Sequence, residues 1–363
     1  MTDVLDLSQG DRPPSPARRL PKPVGLLIVG VVLLSLLGGI GVGARALYLN
    51  FVSAPDYPGP GSGRTVVRIH PDDSAAAIGG TLLAQGVVKS VKAFRDAARA
   101  DSRSRTLAPG YYAVRQHMSA RAALALLLDP RSRLRSHVVI PEGSSLSREL
   151  ALIAKGSEVG LGALQQAAQQ PAALGLPDYA NGRLEGFLFP ASYDIDPGTS
   201  ATEVLTTMVR RFAEAAAAAD LTGRAAAAGH TPYQVLIVAS LVERETGAAD
   251  DRARVAAVIW NRLRAGMPLQ LDSTVNYALG LSTIRVTTAQ TRVDSPYNTY
   301  RIHGLPPTPI AAPGQAAIEA ALSPAPGGAL YFVRTSKDGH SFFTSSYSAF
   351  LAAKAKAQRD GVY

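Results

Sequence analysis

The sequence predicts an α+β protein behind a single N-terminal transmembrane helix. Three observations carry that expectation: one long uncharged apolar run near the N-terminus, short strand patterns interleaved with helical ones from Arg64 onward, and a helix-rich remainder that closes in a hairpin. With 363 residues, 47% of them hydrophobic, the chain can bury a sizeable core and divide into two or three domains. It contains no cysteine, which excludes disulfides, thiolate catalysis and lipid attachment through an N-terminal cysteine. Stability has to come from packing.

Residues 1–23, rich in Pro, Ser and mixed charge, read as a disordered tail. Val24 to Ala44 then runs 21 residues without a charge, enough for a helix to cross a bilayer core of about 30 Å. Arg12, Arg18, Arg19 and Lys22 precede the run and only Arg45 follows closely, so the N-terminus is expected in the cytoplasm and the rest outside the cell membrane. A cleaved signal peptide is the rival, but its apolar region would span about 7–15 residues before a small-residue site. This run is longer and Gly41-Val42-Gly43-Ala44 is a poor site, which favours an uncleaved single-pass anchor. Residues 45–63, ending in APDYPGPGSG from Ala54, read as a Pro/Gly linker that lifts the ectodomain off the membrane.

Over 64–136 the pattern is strand (TVVRIH), helix (SAAAIGGTLLAQ), helix (SVKAFRDAARA), strand (GYYAVR) and helix (SARAALALLLD). A second strand-helix unit opens with HVVIPEGSSLSRELALIA and leads, across 137–230, into a helical stretch interrupted by LEGFLFP. The last region, 231–363, starts near Thr231 and ends in a hairpin, ALYFVRT and SFFTS around Lys337-Asp338-Gly339, with a final helix near Ser348 to Arg359. No internal repeat or heptad pattern is present, and the alanine runs at Ala215–Ala219 and Ala225–Ala228 are ordinary helix formers.

Charge is uneven. Between Arg64 and Arg135 thirteen Lys and Arg face five Asp, which accounts for +8 of the chain's +9. Such a surface is either simply solvated or attracted to anionic wall polymer or lipid headgroups near the anchor. Nucleic acid is not an expected partner, because this region lies outside the membrane and lacks the aromatic pattern of single-strand binders.

Glu245 is the leading candidate for chemistry. Thr231 as N-cap, Pro232 at the first helical position and Gln234 as the capping-box partner open a helix through VLIVASLVERETG. Val238, Leu241 and Val242 recur on one helical face; Glu245 comes next on it, and Glu243 points away. A carboxyl against apolar neighbours has its charged form penalised and keeps its proton toward neutral pH, as a general acid must. The other reading is an acid at a helix end, solvated or paired with Arg244, Arg252 or Arg262. Periodicity leaves both open.

The ordered run from Arg252 through Ile259-Trp260-Asn261-Arg262-Leu263, then Gly266-Met267-Pro268-Leu269-Gln270-Leu271-Asp272-Ser273-Thr274-Val275-Asn276-Tyr277, resembles the endolytic murein transglycosylases of the MltG (YceG-like) family. Further pieces come in the family's order: Pro296-Tyr297-Asn298-Thr299-Tyr300, Gly304-Leu305-Pro306-Pro307, Pro313-Gly314, Leu330-Tyr331-Phe332-Val333 and Gly339-His340, with Leu184-Glu185-Gly186-Phe187-Leu188-Phe189-Pro190 upstream. The resemblance covers nearly everything after the first sixty or so residues. It implies that 64–136 is a small LysM-like subdomain, that a mixed α+β catalytic domain comes after it, and that the second acid of the Glu-x-Glu pair, Glu245, is catalytic. It also implies peptidoglycan glycan strands as substrate, cutting within the strand that terminates its elongation, and peptidoglycan synthases of the elongation or division machinery as partners. Three positions depart from the pattern: Ala191 where an acid often follows FLFP, Ser273 in place of a proline, and Thr308 in place of a glycine. They bear on substrate geometry, not on Glu245.

In that chemistry a protonated Glu245 protonates the leaving oxygen while an oxocarbenium-like centre develops. The muramic acid's own C6 hydroxyl attacks the anomeric carbon, so no second carboxylate is required, and the same carboxylate takes back a proton. No metal, nucleotide or redox cofactor is expected, and no zinc, P-loop or dinucleotide motif is present. Gln270, Asp272 and Thr274, expected in an extended stretch, Asn298, Thr299 and Tyr300 in a turn-rich loop, and Asn261 in the helical run are candidates for sugar contacts. Local loop stabilisation is the alternative for such residues. Tyr277, Tyr297 and Tyr300 offer a flat platform or core packing, Glu185 a cleft wall or a buried ion pair, and His340 a substrate contact or a hydrogen bond beside the hairpin turn. Gly304-Leu-Pro-Pro reads as a rigid wall. Two alternatives stand beside this reading: a muramidase-type hydrolase using Asp272 or Glu243 as second carboxylate, and a non-catalytic wall-binding or division scaffold.

Overall fold

The computed structural model describes residues 54–281 and 286–362, together with Ser35, Gly38 and Gly39. The tail 1–23 and, apart from those three residues, the apolar run 24–44 lie outside the described residues. Among the described residues no single helix is long and apolar enough to cross a membrane. The α+β class is observed, with the chain dividing into two compact units at Arg133–Leu134.

In the first unit β1 (Pro60–Ile69) pairs antiparallel with β2 (Gly110–Met118), placing Val67 opposite Tyr112. Helices α1 (Ala75–Ala84), α2 (Val91–Ala100) and α3 (Ala120–Leu127) each start at a serine, Ser74, Ser90 or Ser119, whose hydroxyl accepts an N–H of the first turn. They bury Ile78, Leu82, Phe94 and Leu124 against Val67 and Val114. The two-residue β3 (Arg133–Leu134) completes the sheet in the order β1-β2-β3. The Pro/Gly stretch differs from a free spacer. Its last four residues belong to β1, a register shift between Ser62 and Thr65 absorbs the glycines, and the Asp56 carboxylate accepts the Ala120 N–H at 2.9 Å. Composition reads the local turn tendency, whereas these bonds come from residues far away in sequence.

The second unit carries a two-stranded sheet, β4 (Ser136–Val139) with β5 (Ser192–Ile195), ahead of and between helices. In order these are α4 (Leu146–Gly156), α5 (Leu161–Ala168), α6 (Ala201–Ala218), α7 (Leu221–Ala227), α8 (Pro232–Glu245), α9 (Arg252–Arg264), α10 (Asp272–Leu279) and α11 (Gln315–Leu322). The hairpin β6 (Tyr331–Arg334) and β7 (Ser341–Thr344) pairs Tyr331 with Thr344, and α12 (Tyr347–Arg359) ends the chain's described part. LEGFLFP forms turns, with Phe187 fully buried and its ring 4.9 Å from that of Phe212.

Helix α8 is the centre of this unit. The expected capping box is present, with Thr231 accepting the Gln234 N–H and the Gln234 side chain accepting that of Thr231. The expected single apolar face is not. Every residue from Val235 to Val242 is buried, because α7, α9, α10 and α11 all pack on α8. A second correction concerns Gln270 to Thr274. Instead of an extended stretch, α10 begins at Asp272, the Thr274 hydroxyl donates back to the Leu271 carbonyl at 2.7 Å, and Gly280 at φ 63° closes the helix. Thr274 and Val275 are β-branched and prefer strands, and tertiary packing overrides that preference. Each fully buried Val, Leu or Ile of α8 contributes roughly 1.5–3 kcal/mol. Leu236→Ala is therefore expected to lower the unfolding free energy by roughly 2–5 kcal/mol in urea titrations, and a loss within about 0.5 kcal/mol would contradict the enclosure of α8.

Candidate active site

Glu245 is the last residue of α8, so the buried helix fixes its backbone while the side chain emerges half-buried. It lines a cleft of about 340 Å³ with Asp272, Ser273 and Asn276 of α10 on one side and Arg334, Gly339 and Ser341 of the hairpin on the other. The Ser273 N–H points at Glu245 Oε1 from 3.3 Å. Burial pushes the Glu245 carboxyl above the usual 4.5, with Ser273 opposing the shift and the charge of Asp272 reinforcing it.

The arginine-paired reading is not realised. Arg244 donates to the Gly143 carbonyl, Arg252 stands 3.9 Å from Glu243, and Arg262 donates to the carbonyls of Leu330, Pro268 and Leu269. Among the described residues no cation lies within ion-pair distance of Glu245. Glu243 leaves α8 on the opposite side, roughly 200° around the helix. Its side chain is 8% exposed and accepts the Gly314 N–H at 3.1 Å; burial raises its carboxyl too. It does not line the cleft.

The other predicted residues divide. Asp272 stands in the cleft and accepts the Tyr300 hydroxyl at 2.6 Å. Thr274 and Thr299 are fully buried with their hydroxyls 2.8 Å apart, and Asn298 is buried with its amide donating to the Thr291 and Val293 carbonyls. Asn261 donates to the Gly327 and Ala329 carbonyls. These side chains brace loops behind the cleft. Gln270 is exposed at φ 52° and joins Thr299 through its backbone. His340 sits at the hairpin turn, half-exposed, with Nδ1 3.9 Å from Asp251; its neighbours Gly339 and Ser341, rather than its ring, line the cleft.

Among the described residues no cation pairs with Glu185. Its carboxylate accepts the Leu146 N–H at the start of α4 and the Tyr277 hydroxyl, both at 2.9 Å, and burial pushes it from 4.5 up to about 7. It lines a second, larger cleft of about 790 Å³ that adjoins the first, the two sharing Arg244, Ser273 and Asn276. Tyr277 lines the larger cleft too, its ring 4.8 Å from that of Tyr297, while the Tyr297 hydroxyl meets that of Thr308 at 2.9 Å.

Several cleft residues were not legible as such. Asn276 is four positions after Asp272, a spacing that marks one helical face only once α10 is known to be a helix. Glu149 lines neither cleft; it is fully buried, with its carboxyl pushed well up by burial and then by Glu185. The hairpin wall depends on two glycines: a Cβ on Gly247 would lie 2.7 Å from the Gly339 carbonyl oxygen, and one on Gly339, at φ 102°, 2.6 Å from Gly247. Asp251 secures the contact by accepting the Ser341 N–H at 2.7 Å. Among the described residues no cluster of three or more His, Asp or Glu could hold a metal ion.

Residues 67–356 match the YceG-like family along their whole length. The chain belongs to the YceG-like family. It is 30% identical over 308 residues to an endolytic murein transglycosylase of Bacillus subtilis, covering 80% of this chain and 84% of that protein. An endolytic murein transglycosylase of Streptococcus pneumoniae is 30% identical over 312 residues, which is 77% of this chain and 56% of the longer relative. The crystal structure of a YceG-like protein from Listeria monocytogenes aligns with a TM-score of 0.56 at 25% identity, covering 80% of this chain and 98% of that one.

In this YceG-like chain Glu185 makes stability depend on pH. Its carboxyl is raised from 4.5 to about 7 in the folded state, so the fold binds that proton more tightly than the unfolded chain. The resulting stability is full below the unfolded value and is lost as pH rises through the folded one, a swing of about 3 kcal/mol. Glu185→Gln should flatten the fall in unfolding free energy between about pH 5 and about pH 8, leaving a remainder from Glu149. An unchanged slope would remove Glu185 as its source.

Proposed function

We propose that this chain is a membrane-anchored peptidoglycan lytic transglycosylase that cuts within glycan strands, with Glu245 as acid and then base. The observation that carries this reading is Glu245 itself, a carboxyl raised by burial, with no ion-pair partner among the described residues, at the end of an enclosed helix and facing an open cleft. The names of the Bacillus and Streptococcus relatives support the same activity.

Glu245 donates its proton to the glycosidic oxygen between MurNAc and GlcNAc, and the bond to the anomeric carbon breaks as positive charge develops there. The C6 hydroxyl of the same MurNAc closes onto that carbon and its proton passes to Glu245, leaving a 1,6-anhydroMurNAc end and a free GlcNAc hydroxyl. Holding the two groups on one sugar supplies the proximity that a hydrolase must obtain from a bound water. Asp272, oriented by Tyr300, lies beside Glu245 where negative charge favours the oxocarbenium-like centre. Its presence in the cleft also favours one second reading, hydrolysis with Asp272 activating water. The mass of the products separates the two, since the anhydro end lacks one water.

Val24 to Ala44 is the anchor in this proposal, with the N-terminus cytoplasmic and the cleft on the side where glycan strands are made and terminated. The basic residues of the first unit, a LysM-like module in this reading, add attraction to anionic wall polymer. Lys92, Arg103, Arg131 and Arg135 are paired with Asp96, Asp101, Asp129 and Asp194, so the attraction acts through the net positive charge of the region.

Glu245→Gln is expected to reduce strand cleavage by roughly 10²- to 10⁴-fold with folding intact, and Glu243→Gln far less. The reverse order in a turnover assay would reject Glu245 as the acid. Full-length protein should remain in the membrane fraction after a high-salt wash, because an apolar span inserts without electrostatic help. A mature N-terminus near Arg45 would instead reveal cleavage and release.

A further inference from the structure

The larger cleft, of about 790 Å³, takes no part in the proton transfers at Glu245. Its volume is typical of ligand sites, which span roughly 300–1,000 Å³. One wall is a single face of α4: Arg148, Ala151, Leu152 and Lys155 follow the i, i+3, i+4, i+7 spacing and all line it. Arg148 and Lys155 are exposed, and among the described residues neither is held by a carboxylate. Arg244 stands where the two clefts join. The one acid on the wall, Glu185, has its oxygens occupied by the Leu146 N–H and the Tyr277 hydroxyl.

Charge is distributed unevenly along the two adjoining clefts. Glu245, Asp272 and Arg334 line the smaller one, Arg148 and Lys155 the larger, with Arg244, Ser273 and Asn276 at the junction. A neutral sugar chain gains little from the exposed cations Arg148 and Lys155, whereas an anionic branch is drawn to them. Muramic acid carries such a branch, a peptide joined through its lactyl ether and ending in carboxylates. Leu152, Leu281 and Ile310 give that branch apolar wall for its methyl groups.

We propose that the larger cleft is a subsite for the carboxylate-bearing peptide branch of the glycan strand, met by Arg148, Lys155 and Arg244. The assignment rests on the transglycosylase reading of Glu245. Seating the branch there fixes which sugar lies over Glu245, so the subsite sets the register of the cut. Burial also holds the Glu149 and Glu185 carboxyls above their usual range, which lessens negative charge beneath the seat.

The test uses full-length protein and three strand preparations: peptide branches with free carboxylates, the same branches with those carboxylates amidated, and strands stripped of peptide. Binding is measured alongside turnover, for the wild type and for an Arg148→Gln, Lys155→Gln double variant. The wild type should prefer free-carboxylate strands, and the double variant should lose roughly three- to tenfold of that preference, in KM rather than kcat and most strongly at low salt. Arg148→Lys should restore part of it. A wild type that treats amidated and free-carboxylate strands alike, or a double variant weakened equally on all three, overturns the subsite. Carboxylate-selective binding without anhydro products would leave the subsite standing and sink the transglycosylase reading; anhydro products without selectivity would do the reverse.

Discussion

The enclosure of α8 is the constraint on which the rest depends. A helix apolar on every side must be covered on every side, and α7, α9, α10 and α11 supply the cover. Ser240, fully buried, satisfies its own hydroxyl on the Ile237 carbonyl and accepts the Ile310 N–H, which ties the proline-rich loop to the helix. The enclosure ends after Val242, and Glu245, the last residue of α8, reaches the cleft.

The electrostatics follow from where the arginines go. Arg244 and Arg262 are near in sequence to the acid pair, yet they spend their donors on backbone carbonyls, and Arg252 turns toward Glu243. Each such bond satisfies a loop that would otherwise bury unpaired carbonyls. The consequence at Glu245 is a carboxyl whose neutral form is favoured by burial, with the Ser273 hydrogen bonds and the charge of Arg244 opposing the shift without reversing it. Loop order and acid strength are thus two results of one set of bonds.

What the sequence disclosed was local. Thr231, Pro232 and Gln234 announced the start of α8, and the helical patterns of α1 to α3 and the strand patterns of the closing hairpin were read in place. The one-face argument placed Glu243 and Glu245 on opposite sides correctly, although α8 has no single apolar face; the two acids are told apart by Gly314 behind one and the cleft before the other. The start of α10 was hidden because Thr274 and Val275 prefer strands in isolation. Asn261, Thr274, Asn298 and Thr299 have the chemistry of sugar ligands, and only the fold reveals which carbonyls and hydroxyls reach them first. Arg148 and Lys155 were silent for the opposite reason, since exposed cations on a helix are ordinary until a cavity faces them.

The meeting of Gly247 with Gly339 joins two stretches of main chain with no side chain between them. One wall of the reaction chamber is thereby keyed by backbone shape alone. The side chains of Lys337 and His340 do not line that wall, whereas neither glycine tolerates replacement by itself. The hairpin tip is thus a place where new substrate preferences can evolve over an unaltered acid.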